Sequence, residues 1–280
     1  MRPVYLPRNL NELWQYFAEN PEALVYAGGT DLLVNIRTGN IDPPALICLE
    51  RLQELKGVEE SSDTVRLGAC MTLADLLANS LIKTNFVVLT KALQTLGSPL
   101  IRQMGTIGGN IGNASPAGDT LPPLYVLQAK VEIKSFESPR TLPIAEFICG
   151  PRQTPLRQGE IISAVILKKA QDYNIQHFEK VGLRKSLACS VVSMAALLKL
   201  SEEGIVEKAG LAWGSIAPTV FTSDACEEFL IGKKLTPATL ETAAEMIRQE
   251  VSPIDDVRAD TAYRRTVCGN LLLRLANETM

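Results

Sequence analysis

Leu10, Leu13, Trp14 and Phe17 recur at the i, i+3, i+4, i+7 spacing of a single helix face. Asn9 precedes them with Glu12 three residues on, a capping-box arrangement that predicts where the helix begins, and Pro21 marks its stop. Val25-Tyr26-Ala27 reads as a short strand running into Gly28-Gly29, after which Thr30 is placed to cap a helix over 31–37 that Gly39 ends. Residues 45–49 form an apolar run typical of a buried strand. Residues 64–70 alternate as a strand, Thr72 caps a helix over 73–78, and 86–96 is apolar and helical up to Gly97. Between 98 and 123 the periodicity lapses in favour of Gly, Asn, Ser and Pro, which predicts a long functional loop with a helix starting near Thr120. Residues 130–136 alternate as a strand, and 160–167 read as another.

After about residue 172 the pattern changes. Residues 175–181, 190–200 and 206–214 read as strands, the last two joined by a turn at Glu202-Glu203-Gly204. Helices are predicted over 223–230, 237–250 and 259–276; Thr236-Pro237 supplies a cap with proline at the first helical position, and Pro253 follows the second helix. A hairpin followed by a run of helices predicts a separate α+β domain. The expected division is 1–172, with subdomains of about 1–56 and 57–172, followed by 173–280.

Composition narrows the function classes. The 280 residues are 46% apolar and 21% charged, as in an ordinary globular protein, and the formal charge of −3 speaks against nucleic acid or an anionic membrane as the main partner. No apolar run approaches the ~20 residues of a bilayer span, and the N-terminal residues lack a signal-peptide core, so a cytoplasmic location is expected. Cys48, Cys70, Cys149, Cys189, Cys226 and Cys268 lie far apart, and His177 is the only histidine. That scatter predicts core thiols and no metal or iron–sulfur site in this chain, and it leaves little for a histidine-based hydrolase.

Two glycine turns carry the candidate chemistry: Ala27-Gly28-Gly29-Thr30-Asp31-Leu32-Leu33 and Thr106-Ile107-Gly108-Gly109-Asn110-Ile111. Paired glycines allow positive φ and close approach of a ligand to the backbone, and successive N–H groups in such turns form anion sites without lysine or arginine. Two of them fit a diphosphate-bearing cofactor. Each turn taken alone also reads as a plain strand-to-helix connection. Asp119 has a second reading as a helix cap, Lys180 as a solvated surface lysine, and His177 as an exposed or hydrogen-bonded strand histidine. The Arg264-Arg265 pair reads as part of a helix face near an interface.

The second turn extends through Asn113-Ala114-Ser115-Pro116-Ala117-Gly118-Asp119-Thr120 to Leu124, and with Ala27–Leu33 it closely resembles the FAD-binding subunit of the xanthine dehydrogenase and carbon monoxide dehydrogenase family of molybdenum hydroxylases. Phe147–Thr154 with Gly159-Glu160-Ile161-Ile162, the Phe178, Lys180, Arg184 segment, and Asp256 with Tyr263-Arg264 extend the resemblance over nearly the whole chain. It implies an α+β FAD domain of the p-cresol methylhydroxylase (PCMH) type, built from two subdomains, and a smaller α/β domain of the CO dehydrogenase flavoprotein C-terminal type. Carried over residue by residue, it assigns Ala27, Gly28, Gly29, Thr30, Asp31, Leu32 and Leu33 to the diphosphate and ribityl region. It adds Thr106, Gly109, Asn110 and Ser115 on the second loop, Asp119 toward the ribityl or ring end, and Ile162 and Lys180 beside the flavin ring. No side chain is assigned as an acid–base catalyst.

The resemblance further implies an oxidoreductase subunit that passes electrons through FAD to an acceptor such as NAD+. Partner subunits would carry the molybdenum cofactor, on a molybdopterin-binding subunit, and 2Fe-2S clusters, on an iron–sulfur subunit. The cysteine-bearing insertion of the hydroxybenzoyl-CoA reductase branch is missing, which argues against an additional cluster here. A rival reading is a self-sufficient flavin-dependent oxidase or reductase of the same fold. A third is a scaffold subunit that has lost FAD.

Overall fold

The computed structural model describes residues 2–185 and 187–279. In chain order the elements begin with β1 (Val4–Tyr5), α1 (Leu10–Glu19), β2 (Leu24–Tyr26), α2 (Leu32–Arg37) and β3 (Leu46–Cys48). There follow β4 (Val58–Glu60), β5 (Thr64–Gly68), α3 (Leu73–Ala78), α4 (Ser80–Asn85), α5 (Val87–Thr95), α6 (Pro99–Met104), α7 (Ile107–Asn113) and α8 (Leu121–Val126). Next come β6 (Lys130–Lys134), β7 (Pro139–Pro143), α9 (Ile144–Phe147), β8 (Ile161–Lys168), β9 (Ile175–Gly182), β10 (Ser190–Leu200) and β11 (Val206–Gly214). The chain closes with β12 (Phe221–Thr222), α10 (Asp224–Leu230), α11 (Pro237–Glu250), α12 (Thr261–Leu273) and a 3-10 segment, Arg274–Thr279.

Two compact units result. The first holds the residues up to Ala78, Ser98–Ala114 and Gln128–Lys168; the second holds Asn79–Gly97, Ser115–Leu127 and the chain from Lys169 on.

In the first unit, β1, β3 and β2 form a parallel sheet with β3 central, Val4 and Leu24 both lying opposite Leu46. Every residue of β3 is buried, as a central parallel strand requires, and Ile47 packs with Leu13 of α1, Leu52 and Leu55. Asn9 caps α1 as the sequence predicts, accepting from the Glu12 N–H, while the Glu12 carboxylate reaches back to the Arg8 N–H. The second sheet of this unit, in the order β4-β5-β8-β6-β7, is antiparallel throughout. Across its middle, Glu132 accepts from Arg66 (2.8 Å) and from the Ser163 hydroxyl (2.6 Å). Those bonds, Arg66 foremost, hold the Glu132 carboxyl below the usual range.

The second unit is built on an antiparallel sheet in the order β12-β11-β10-β9. Alternate residues of β11 serve its two faces. Leu211 and Trp213 enter the core formed with α10, α11 and α12, whereas Gly210 and Gly214 lie against Val126 and Pro122 of α8. Gly214 leaves no room for a side chain, since a Cβ there would sit 3.0 Å from the Pro122 ring. Trp213 is fully buried and its indole N–H donates to the Cys268 carbonyl. Gly269 lets α12 approach α11 closely: a Cβ there would meet the Ala244 carbonyl oxygen at 2.8 Å.

Several expectations need correction. The stretch 98–123 is mostly helical, because Ser98 and Thr106 each cap a helix and Pro99 sits at a first helical position. Glycines in α7 hid this. Gly108 is tolerated, despite costing about 1 kcal/mol relative to Ala, because a Cβ there would lie 2.6 Å from the Ala69 methyl. The helix expected over 86–96 is present as α5, but α4, a helix the sequence did not suggest, precedes it and ends at Asn85. Thr30 does not cap α2; Asp31 occupies the cap position and makes no capping bond with its side chain. The strands β1, β4, β7 and β12 are too short or too polar to stand out in the sequence.

Candidate functional site

The first glycine turn leaves β2 and enters α2 in the first unit. Gly29 has φ +68°, and Leu33 folds back so that a Cβ on Gly29 would touch it at 2.6 Å. Gly28 is held more tightly still: a Cβ there would fall 1.7 Å from the Met104 carbonyl oxygen and 3.0 Å from the Gly105 nitrogen. The backbone of the first turn thus rests directly on the end of α6, immediately before the second turn. The Thr30 hydroxyl faces the same place, 3.5 Å from where a Gly105 Cβ would be. Sequence reasoning proposed two loops for one ligand, and the first unit brings them side by side.

Among the described residues, the backbone N–H groups of Gly28, Gly29, Thr30, Asp31 and Leu32 have no hydrogen-bond partner; the first amide of this run to be bonded is Leu33, to the Gly29 carbonyl. These residues are half-buried. Backbone donors in that situation are normally paired with something, and successive free amides at a glycine turn are groups of the kind that bind an anion. Asp31 contributes no donor from its side chain. Its carboxylate accepts from Asn35 (2.9 Å) and from the Arg152 guanidinium (3.1 Å).

The second turn behaves differently. Ile107 donates to the Met71 carbonyl, Gly108 to Ala69, Gly109 to the Thr106 hydroxyl (3.0 Å) and Asn110 to the Thr106 carbonyl. All four amides are therefore spent inside the fold, so the expected cradle of free amides exists in the first turn and not in the second. What the second turn offers is surface. Gly109 is exposed with no side chain to intervene, Asn110 is half-buried beside it, and Thr106 is buried beneath. Ile162 on β8 joins this group, its side chain lying 3.4 Å from the position of a Cβ on Gly112.

The remaining candidates, Ser115, Asp119 and Lys180, belong to the second unit. The Ser115 hydroxyl accepts from the Ala117 N–H (3.3 Å). Lys180, on β9, is not a solvated surface lysine: its side chain is 8% exposed and its ammonium donates to Asp119 Oδ2 at 2.5 Å. Asp119 Oδ1 is buried without a partner, and Asp119 makes no capping bond to α8. Burial pushes the Asp119 carboxyl up, against the opposing pull of Lys180. A buried acceptor left open beside a buried cation is a place for a ligand hydroxyl or N–H. His177 is buried and bonded through Nδ1 to Glu278 (2.7 Å).

Two arginines gain structural roles that the sequence left unassigned. Arg264, 1% exposed, donates to the Val191 and Ser215 carbonyls and pairs with Asp256. Arg152 bonds to Asp31 of the first glycine turn and to Asn113 at the end of α7. The one local signal for Arg152 was Pro151 before it, in a turn of Gly150-Pro151-Arg152-Gln153.

Comparison with known proteins agrees over both units. The profile of the family described as the FAD binding domain in molybdopterin dehydrogenase matches residues 1–168, and that of the CO dehydrogenase flavoprotein C-terminal domain matches residues 177–279. The chain is 30% identical over 267 residues to the nicotinate dehydrogenase FAD-subunit of Eubacterium barkeri, covering 93% of this chain and 90% of the relative. Its fold is similar to a chain of quinoline 2-oxidoreductase from Pseudomonas putida 86, with a TM-score of 0.94 at 24% identity over 99% of this chain and 96% of that one. A chain of carbon monoxide dehydrogenase from Hydrogenophaga pseudoflava gives 0.91 at 25% identity, over 98% and 95%.

Proposed function

The chain belongs to the family of FAD-binding domains of molybdopterin dehydrogenases, with a CO dehydrogenase flavoprotein C-terminal domain, and from that premise we propose that its glycine turns hold FAD for electron transfer to NAD+. It is the flavoprotein component of a molybdenum hydroxylase-type dehydrogenase. In the proposed assembly an iron–sulfur subunit with 2Fe-2S clusters delivers electrons that a molybdopterin-binding subunit has taken from substrate.

The observation that carries the reading is the run of five unpaired amides at residues 28–32, set against the second turn by the absence of a Cβ on Gly28. That run fits the diphosphate of a flavin dinucleotide, and bound FAD would supply a centre that takes electrons singly and releases them as a pair. The chain's own residues bind and orient. Amides 28–32 would donate to the phosphate oxygens, with Ala27, Leu32 and Leu33 flanking them. Gly109, Asn110 and the Thr106 hydroxyl would give the diphosphate a second wall, with Ser115 following. Asp119 Oδ1 would accept a hydrogen bond from a ribityl hydroxyl while Lys180 offsets its charge, and Ile162 with Lys180 would border the ring.

The test is a titration of the purified full chain with FAD. Uptake of one FAD per chain, with bound-flavin absorbance bands, is expected; no uptake refutes the reading. For the acceptor, the FAD-loaded chain reduced with dithionite is expected to regain oxidised-flavin absorbance on adding NAD+, with NADH formed in equal amount. Failure to transfer to NAD+ removes that acceptor and leaves the FAD site untouched.

A further inference from the structure

Gly150-Pro151-Arg152-Gln153 is a tight turn, with the Gln153 N–H donating to the Gly150 carbonyl at 3.0 Å and Pro151 at its second position. Its third residue, Arg152, has φ +57°. That backbone position favours glycine or asparagine, and a longer side chain there costs about 1–2 kcal/mol. An arginine kept where glycine is easier points to the side chain. Its guanidinium donates through Nη1 to Asp31 Oδ2 (3.1 Å) and to Asn113 Oδ1 (2.8 Å), and through Nη2 to Asp31 Oδ1 (3.4 Å). Its backbone N–H donates to the Ala114 carbonyl (2.9 Å), and Ala114 is itself left-handed at φ +44°. One residue therefore bonds the first glycine turn to the far end of α7, entirely within the first unit.

Asp31 makes that bond matter. Its N–H belongs to the run of unpaired amides, while its side chain, left ionised and unpaired, would set a negative charge beside the place proposed for a dianion. We propose that Arg152 is a positioning residue for the flavin diphosphate: it neutralises Asp31 and locks the first turn to the segment 113–114. The proposal rests on the FAD reading and deepens it. The pair is largely exposed, with side chains 59% and 45% accessible, so its contribution to the stability of the ligand-free fold is small. Its effect falls on the anion.

The test compares FAD dissociation constants of the full chain for the parent, Arg152→Gly, Asp31→Asn and the double variant, with thermal melts of each without FAD. Glycine relieves the left-handed backbone, so the melting temperature of Arg152→Gly is expected to stay level or rise, while its Kd for FAD rises about tenfold, the scale of one charged hydrogen bond. Adding Asp31→Asn to Arg152→Gly is expected to recover at least about threefold of that loss, because the uncompensated charge is gone. A residue that merely braces the turn would show no such recovery. Arg152→Gly binding FAD as the parent does, or a double variant no tighter than Arg152→Gly, overturns the proposal. A parent chain that takes up no FAD overturns the FAD reading instead, and the positioning role with it.

Discussion

Replacing Gly28 by alanine attacks the junction of the two turns. The added methyl would sit 1.7 Å from the Met104 carbonyl oxygen and 2.4 Å from its carbon, and both neighbours are backbone that cannot rotate away. Restoring even a 3.0 Å contact requires the two segments to part by about 1.3 Å, the difference from 1.7 Å. Forced expansion of this kind costs about 1–3 kcal/mol of fold stability. The larger consequence is for a ligand that touches both turns, since a 1.3 Å displacement stretches a 2.9 Å hydrogen bond beyond its useful range. Loss of one charged hydrogen bond, about 1.5–3 kcal/mol, weakens FAD binding about 10- to 150-fold. Gly39→Ala is the control: it is strained at φ +75° with nothing within 4 Å, so it lowers stability and spares the junction. Flavin fluorescence titration with parallel thermal melts reads both quantities. Gly28→Ala binding FAD as tightly as Gly39→Ala does would refute the reasoning.

Asp256 accepts from Arg258 (2.6 Å) and Arg264 (2.6 Å), which hold its carboxyl far below an ordinary aspartate value of 3.8. A lowered carboxyl stabilises the fold above its unfolded value and loses that contribution as pH falls through the folded value. Asp256→Asn is therefore expected to destabilise the chain at pH 7, with its deficit against the parent shrinking in thermal melts taken toward and below pH 3.8. Arg264→Leu leaves the Val191 and Ser215 carbonyls without their donor and breaks the pair with Asp256, and is expected to cost about 3–5 kcal/mol in denaturant unfolding. Burial pushes the thiols of Cys70, Cys226 and Cys268 up to about 12, whereas Cys149 and Cys189 are exposed. A thiol reagent is expected to find two fast cysteines of the six in the native chain; a third reacting as fast would contradict the packing described.

Elements with strong local signals were legible. Thr236-Pro237 starts α11, and β10 and β11 span the residues that the apolar runs predict, because nothing in their packing overrides local preference. The segment 98–123 was not legible as helix. The glycines of α7 argue against helix locally, and only the Ala69 backbone and methyl on another strand's end explain why Gly108 must lie there. At the site, the two turns were visible as a pair, but their division of labour was not. Whether an amide is free depends on partners distant in sequence, such as Met71 and Ala69 for the second turn. The burial of Lys180 and the bond between Arg152 and Asp31 are also long-range facts, the latter joining residues 121 positions apart.

Hydrogen exchange of the full chain, with and without saturating FAD, tests the central claim most directly. Without FAD, the amides of residues 28–32 are expected to exchange fast and those of 107–110 slowly, since only the second set is bonded within the fold. Adding FAD is expected to slow the 28–32 set markedly and leave 107–110 nearly unchanged. Protection gained elsewhere while 28–32 continue to exchange freely would contradict the account.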